Sequence, residues 1–350
     1  MKRIIFLLPM ILLAFSLSAQ DTIKAVFDEV DQRAEKAYND GINYFNKKNY
    51  DKALSSFTEA IKAKPGFYKA FYNRGVVRSE LKDFKGAISD FDQVIIIDSG
   101  EVANAFFGRA RAKQTTGDND GALVDFTGAI GKDPNFEQSY YYRGVIKFGM
   151  EDYPGAIEDF TSAIKIKPDY AYAYNDRGSA KRKSDDLDGA IADYKKATEL
   201  NSKLAFSFNN LGSTHRKKED FKTAVTDYSM AISAKPDYYM AYNNRGAVKF
   251  EMEDYNGAIE DYTKAIELKS DYAYAYNNRG NAKMKLKQYD AALADYNQAI
   301  QLDPNYGYAY LNRGIVKESL GNAEGACADW QKAASLGIKN ATTYVNEQCN

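Results

Sequence analysis

The sequence is poor in the side chains that most catalytic and metal sites require. It contains one histidine and two cysteines among 350 residues, too few for a His/Cys metal cage or a multi-disulfide framework. A Gly-rich phosphate loop, a nucleophile elbow and a cluster with metal-ligand spacing are also missing. We therefore expect neither enzymatic activity nor a bound cofactor.

An excess of either charge and a high proline content are missing as well. Lys and Arg total 47 against 48 for Asp and Glu, and this balance argues against an electrostatic nucleic-acid interface. Seven prolines and an apolar fraction of 45% do not fit a disordered composition, and 28 tyrosines supply much of the surface that can be buried. The chain should fold, and we expect no nucleic-acid partner.

The first twenty residues show the three regions of a secretory signal peptide. Two basic residues precede an apolar run at residues 4–15, and the small residues 16–19 follow it. The apolar run has about 12 residues, whereas a membrane span needs about 20, and no run of that length recurs later. We predict a signal peptide at residues 1–19 that is cleaved near Ala19. The mature protein would then have no stable membrane span and would be exported, either periplasmic or secreted.

A 34-residue repeat occupies most of the remaining chain. Its clearest marker is a small residue, which is glycine in eight repeats and alanine in one: Gly41, Gly75, Ala110, Gly144, Gly178, Gly212, Gly246, Gly280 and Gly314. An alanine stands twelve residues after each marker, and an aromatic residue stands four residues further on. Prolines close five of the repeats, and a proline cannot continue a helix. The pattern predicts a repeated helix-turn-helix unit.

With the small residue numbered as position 8, the pattern resembles the tetratricopeptide repeat (TPR), which has small residues at positions 8, 20 and 27 and aromatic residues at positions 4 and 24. We predict nine repeats, at residues 34–67, 68–101, 103–136, 137–170, 171–204, 205–238, 239–272, 273–306 and 307–340. Residues 20–33 would form an N-terminal extension, and residues 341–350 a C-terminal capping helix. The resemblance implies an all-α superhelical solenoid of antiparallel helix pairs, in which neighbouring repeats share one core.

Three further positions recur in the repeat. Position 16 is Asn or Asp in eight repeats, and these side chains can accept the free amide protons at the start of the second helix. Position 7 is arginine in seven repeats and position 23 is aspartate in eight. A catalytic pair need occur only once, so we interpret the Arg and Asp as a structural pair between helices. The sixth repeat lacks the complete pair, because it has Leu211 with Asp227.

The resemblance implies that the first helices line a concave groove, with positions 2, 5, 6, 9, 12 and 13 facing it. Asparagines recur at positions 5 and 6 of the later repeats: Asn209, Asn210, Asn243, Asn244, Asn277, Asn278 and Asn312. A carboxamide offers both a donor and an acceptor, so a row of them can bind the backbone of an extended peptide. Alternatively, the asparagines satisfy local backbone groups or reflect a common TPR sequence type.

The earlier repeats place aromatic side chains in the same groove, with Tyr72 and Tyr141 as the candidates for binding. Aromatic rings beside amides suit extended peptides or sugar rings, although some of the rings could simply pack on neighbouring helices. The sequence thus predicts an exported, non-catalytic scaffold that binds a protein or extended peptide. A glycan- or peptidoglycan-associated binding module and a structural adaptor in a secretion or cell-envelope assembly are the alternatives.

The C-terminal residues are expected to cover the last apolar face of the array. Ala341, Tyr344 and Val345 have helical spacing and can do this. If their helix runs antiparallel to the second helix of the last repeat, Cys327 and Cys349 lie opposite each other. We predict a disulfide between these two cysteines in an oxidising compartment. The alternative is two buried free thiols in a helix-helix contact.

Overall fold

The computed structural model describes residues 10–97 and 100–349 and the side chains from residue 24 onwards, except 25 and 27. Residues 1–9 of the predicted signal peptide lie outside the described residues, as do the side chains of its remainder. Within the described part the chain forms nineteen helices and no strand, which confirms the all-α class. The helices are α1 Met10–Asn46, α2 Tyr50–Ala63, α3 Tyr68–Glu80, α4 Phe84–Ile97, α5 Val102–Thr115, α6 Asn119–Lys132, α7 Glu137–Gly149, α8 Tyr153–Ile166, α9 Ala171–Lys183, α10 Leu187–Leu200, α11 Ala205–Lys217, α12 Phe221–Ala234, α13 Tyr239–Glu251, α14 Tyr255–Leu268, α15 Ala273–Lys285, α16 Tyr289–Leu302, α17 Gly307–Ser319, α18 Ala323–Ser335 and α19 Lys339–Gln348.

The helices form two compact units. The N-terminal unit extends through Ile166 and contains α1–α8, and the C-terminal unit starts at Lys167 and contains α9–α19. Within each unit, an odd-numbered helix and the next even-numbered helix form a hairpin with a short turn, and each hairpin packs on the following one. In the C-terminal unit α19 packs on α18 and ends the stack.

The same two repeat positions, 15 and 16, shape the turn in eight of the nine described hairpins, and Gln288 before α16 forms no side-chain cap. Between α3 and α4, Lys82 at position 15 has a φ of +62°, and Oδ1 of Asp83 at position 16 accepts a hydrogen bond from the Gly86 amide at 2.9 Å. The cap satisfies one of the free amides at the start of α4. All eight predicted caps make this bond and are confirmed: Asn49, Asp83, Asp118, Asp152, Asp186, Asp220, Asp254 and Asn322.

The small residue at position 8 allows the two helices of a hairpin to approach closely. At Gly144 an added Cβ would lie 2.9 Å from Cε1 of Phe160, the position-24 ring of the same hairpin, and 3.2 Å from Cβ of Asp159. The ring is fully buried against this backbone. Burial of a side chain of this size contributes about 1.5 to 3 kcal/mol, so the contact is a main stabilising element of the hairpin.

A buried cluster of charges connects the same two helices. Arg245 donates through Nε and Nη2 to the two carboxylate oxygens of Asp261, at 2.9 and 2.6 Å, and Lys249 adds a second cation at 2.9 Å. Nη1 of Arg245 also donates to Oγ of Ser229 on α12, so one guanidinium joins two hairpins. Seven hairpins contain the Arg-Asp pair, which confirms its structural role: Arg74–Asp90, Arg109–Asp125, Arg143–Asp159, Arg177–Asp193, Arg245–Asp261, Arg279–Asp295 and Arg313–Asp329.

The hairpin of α11 and α12 replaces this cluster with a different pair. Leu211 takes the place of the arginine and packs on Ala190 and Tyr194 of the preceding hairpin. Nδ1 of His215 lies 2.6 Å from Oδ2 of Asp227, and both side chains are buried. Burial raises the pKa of Asp227, and the contact with His215 opposes this rise. The histidine of the sequence is therefore part of the scaffold.

The final helix covers the end of the stack as expected. Tyr344 stacks on Trp330 with 4.8 Å between the ring centroids, and Ala341 is fully buried in the same apolar cluster. The structure joins Cys327 and Cys349 in a disulfide with 5.5 Å between the Cα atoms. Helix α19 begins at Lys339, two residues before the predicted capping helix.

The close contact at position 8 predicts a local effect of substitution. Gly144→Leu should lower the free energy of unfolding by about 1 to 3 kcal/mol, because the new side chain overlaps the Phe160 ring. Hydrogen exchange should become faster mainly in α7, α8 and the hairpin before them. Gly149→Leu is the control in the same helix, because a Cβ there meets nothing within 4 Å. Equal losses in the two variants would contradict the role of the contact.

Candidate binding groove

Two neighbouring cavities follow the first helices of the C-terminal unit. The larger, about 590 Å³, lies against α9, α11 and α13, and its lining includes Arg182, Arg216 and Asn244. The smaller, about 330 Å³, lies against α11, α13 and α15 and includes Asn278. Arg216, Asn244 and Glu251 border both cavities. Together the two cavities define the groove of the C-terminal unit.

The candidate asparagines form hydrogen bonds from one hairpin to the next. Nδ2 of Asn244 donates to Oδ1 of Asn209 at 3.0 Å, and Nδ2 of Asn278 donates to Oδ1 of Asn243 at 3.1 Å. Asn312 donates in the same way to Asn277, at 2.9 Å, and Asn210 to Asn175, at 3.2 Å. Each position-6 amide is thus bonded to the position-5 amide of the preceding repeat.

These bonds separate the candidates into two layers. Asn243 and Asn277 at position 5 are buried, with 7% and 4% of their surface exposed, so they support the groove wall. Asn244 and Asn278 at position 6 are partly exposed and border the cavities. One N–H of each position-6 amide holds the network, and the carboxamide has a second N–H and further acceptor capacity. The sequence alone predicted that the asparagines at both position 5 and position 6 face the groove.

Tyrosine hydroxyls add a further row of polar groups that sequence reasoning missed. The hydroxyl of Tyr228 lies 2.9 Å from Oγ of Ser213, and the hydroxyl of Tyr296 donates to Oδ1 of Asn281 at 2.8 Å. Burial raises the pKa of both tyrosines, so their hydroxyls stay neutral and can donate. The available signal was that position 24 is Phe in the first four repeats and Tyr in the next four.

The structure gives the two aromatic candidates of the N-terminal unit different surroundings. Tyr72 borders a cavity of about 360 Å³ together with Lys69 and Asn73. Tyr141 packs on neighbouring rings, with centroid distances of 5.1 Å to Tyr142 and 5.8 Å to Phe160. Both rings therefore contribute to packing between helices, and Tyr72 additionally lines an open space.

The described part of the chain shows no cluster of three or more His, Cys, Asp or Glu side chains placed to hold a metal ion. Across the same residues, no helix combines the length and apolar character that a membrane span requires. The polar groups of the groove are amides, hydroxyls, guanidinium groups, a lysine ammonium group and two carboxylates. This set of groups can recognise a polar chain by hydrogen bonding.

Comparisons with known families match several parts of the chain to the tetratricopeptide repeat. Family models described as tetratricopeptide repeat match residues 38–102, 171–204, 207–238 and 273–306, and one described as TPR repeat matches residues 246–287. Asn278 lies within two of these matches, whereas Asn244 lies in the short gap between residues 238 and 246. The chain therefore contains tetratricopeptide repeats, as the sequence pattern predicts.

Two solved structures with TM-scores above 0.5 show the same fold. A tetratricopeptide repeat protein from Parabacteroides merdae aligns with a TM-score of 0.57 and 16% identity, over 72% of this chain and 100% of that one. The Cut9–Hcn1 hetero-tetramer of the APC/C aligns with a TM-score of 0.55 and 16% identity, over 91% of this chain and 76% of that one. MamA is 27% identical over 47% of this chain and 96% of its own, with a TM-score of 0.43.

The bonds between the two asparagine layers predict measurable coupling. Asn243→Ala and Asn278→Ala remove the two ends of one bond, so a double-mutant cycle should give a coupling energy of about 1 kcal/mol in urea unfolding. Asn256→Ala, on the exposed surface of α14, should change stability by less than about 0.5 kcal/mol. Additive effects of Asn243→Ala and Asn278→Ala would show that the bond does not contribute.

Proposed function

Because the chain contains tetratricopeptide repeats, we propose that it is a non-catalytic scaffold that binds protein partners in the groove of its C-terminal unit. The repeat fold is a protein-interaction scaffold, and the partner would present an extended peptide. The observation that carries the proposal is the pair of neighbouring cavities bordered by Asn244 and Asn278. An extended peptide needs a continuous path with donors and acceptors at regular intervals, and these side chains recur once per repeat.

The hydrogen bonds between the layers favour binding. Asn244 and Asn278 are already held by Asn209 and Asn243 before any ligand arrives. Ordering of a flexible side chain on binding costs about 0.5 to 1.5 kcal/mol, and this cost is reduced where the side chain is already fixed. The remaining amide groups can pair with the peptide backbone, whose donors and acceptors are the same in every sequence.

A groove-filling substitution tests this function without removing a hydrogen bond. Ala247 borders the smaller cavity, and Ala247→Arg should fill it and weaken the binding of peptides selected from a displayed library of random peptides by about tenfold or more. The control Met230→Arg places the same side chain on an exposed part of α12 and should bind like the unchanged protein. Circular dichroism checks that both variants keep their helices. Failure of the unchanged protein to select any peptide, or full binding by Ala247→Arg, would refute the proposal.

We also propose that the protein is exported, with residues 1–19 removed as a signal peptide. The disulfide between Cys327 and Cys349 supports this location, because such bonds persist in oxidising compartments and are rare in the cytosol. Export would place the partner in the periplasm or outside the cell.

Export and the disulfide together predict the chemical form of the purified protein. The chain isolated from the exported fraction should begin at Gln20, and intact-mass measurement should show no alkylation of Cys327 or Cys349 until a reductant is added. The double variant Cys327→Ser/Cys349→Ser should lose up to about 3 kcal/mol of stability, with faster exchange in α19. An unprocessed cytoplasmic chain with two alkylated cysteines would contradict the proposal.

Glycan binding is the second candidate function. Tyr172, Tyr274 and Tyr308 at position 2 expose about half of their surface, and the ring of Tyr274 lies 4.9 Å from that of Tyr306. Exposed aromatic faces with nearby amides suit sugar rings. A sugar array probed with the unchanged protein and Tyr274→Ala distinguishes the two functions, because peptide binding in the cavities does not require this ring.

A further inference from the structure

Two consecutive repeats place an arginine at position 12, and the two arginines have different partners. Nε of Arg216 lies 3.1 Å from each carboxylate oxygen of Glu251, and Nη2 lies 2.5 Å from Oε1. Glu251 stands 35 residues further along the chain, at position 13 of the next repeat. This contact joins α11 to α13, and it neutralises Arg216 within the groove.

The corresponding residue for Arg182 has the opposite charge. Counting the same 35 residues from Arg182 leads to Lys217, so a lysine occupies the place of the glutamate. Nζ of Lys217 pairs with the exposed carboxylate of Asp185 at 2.6 Å. No carboxylate pairs with Arg182 anywhere in the described ranges, and its buried Nε has no hydrogen-bond acceptor there. Its guanidinium charge is therefore not compensated by an ion pair within the fold.

Both cations border the larger cavity. Arg182 and Lys217 line it together with the Tyr228 hydroxyl and the Asn244 amide, and Glu219 contributes an acidic side chain from the exposed turn after α11. Burial raises the pKa of Tyr194, and Ser179 and the neighbouring Arg182 oppose this rise, which places the guanidinium near that hydroxyl. The cavity thus brings three cations and two carboxylates together with a hydroxyl and an amide, and Arg216 is the cation that Glu251 already pairs with.

We propose that this cavity binds the carboxylate of an acidic residue in the extended peptide. The ligand carboxylate pairs with Arg182 in the way that Glu251 pairs with Arg216. This inference rests on the proposed peptide-binding function and adds a side-chain preference to it. A guanidinium matches a carboxylate through paired N–H groups, and charge-assisted bonds of this kind are stronger than neutral ones. Position 6 recognises the backbone of any peptide, whereas Arg182 and Lys217 select for Asp or Glu at one position.

The charge swap Lys217→Glu tests the proposal. It places a carboxylate opposite Arg182 in the register of the Arg216–Glu251 pair, so that an internal ion pair competes with the ligand. Peptides selected from the random library by the unchanged protein should be enriched in Asp or Glu at one position. Affinity for such a peptide should fall about tenfold or more in Lys217→Glu, measured by fluorescence anisotropy.

Lys218→Glu is the matched control. It changes the net charge equally on the neighbouring residue, which pairs with Asp188 and does not line the cavity. This variant should keep both the affinity and the acidic preference. A version of the selected peptide with Glu replaced by Gln should bind the unchanged protein more weakly than the original peptide does. It should bind the Lys217→Glu protein at least as tightly as the original peptide binds that variant.

The outcomes separate the two hypotheses. Selected peptides without an acidic preference, or equal losses in Lys217→Glu and Lys218→Glu, would overturn the carboxylate site while leaving peptide binding intact. If neither the unchanged protein nor Lys218→Glu selects any peptide from the library, this result would overturn both the peptide-binding function and the carboxylate site.

Discussion

The close approach of the two helices within each hairpin is the constraint on which the remaining structure depends. A glycine or alanine at position 8 lets the position-24 ring reach the backbone of the first helix, as Phe160 does at Gly144. The same approach brings the position-7 guanidinium onto the buried aspartate at position 23. Loss of one partner from such a buried pair costs about 3 to 5 kcal/mol, so ring contact and ion pair both favour this hairpin geometry over others.

The hairpin of α11 and α12 reaches the same geometry with a different chemistry. His215 and Asp227 replace the cluster of arginine, lysine and aspartate, and Leu211 adds apolar packing where the arginine would stand. Arg216 and Tyr228, the residues that follow His215 and Asp227 in the sequence, both line the larger cavity.

The repeated features could be predicted from the sequence because nine similar segments support each interpretation. The helix pairs, the caps and the Arg-Asp pairs all followed from residues that recur at fixed positions. The layering of the asparagines could not be predicted, because Asn243 and Asn244 are adjacent residues of the same type and only packing decides which one is buried. Arg182 and Lys217 were missed for another reason. Their proposed role depends on which residues of neighbouring repeats face each other, and this combination of Arg and Lys does not recur through the array.

The turns inside the hairpins show how the fold places charges at the edge of the groove. A left-handed backbone favours glycine, yet seven of the described turns hold Lys, Glu or Asp at φ between 56° and 67°. Such a residue carries a conformational cost of about 1 kcal/mol relative to glycine. Asp185 is one of them, and its carboxylate holds Lys217. Glycine at that turn would relieve the backbone but would release the lysine, so local strain maintains the electrostatic pattern that a ligand meets.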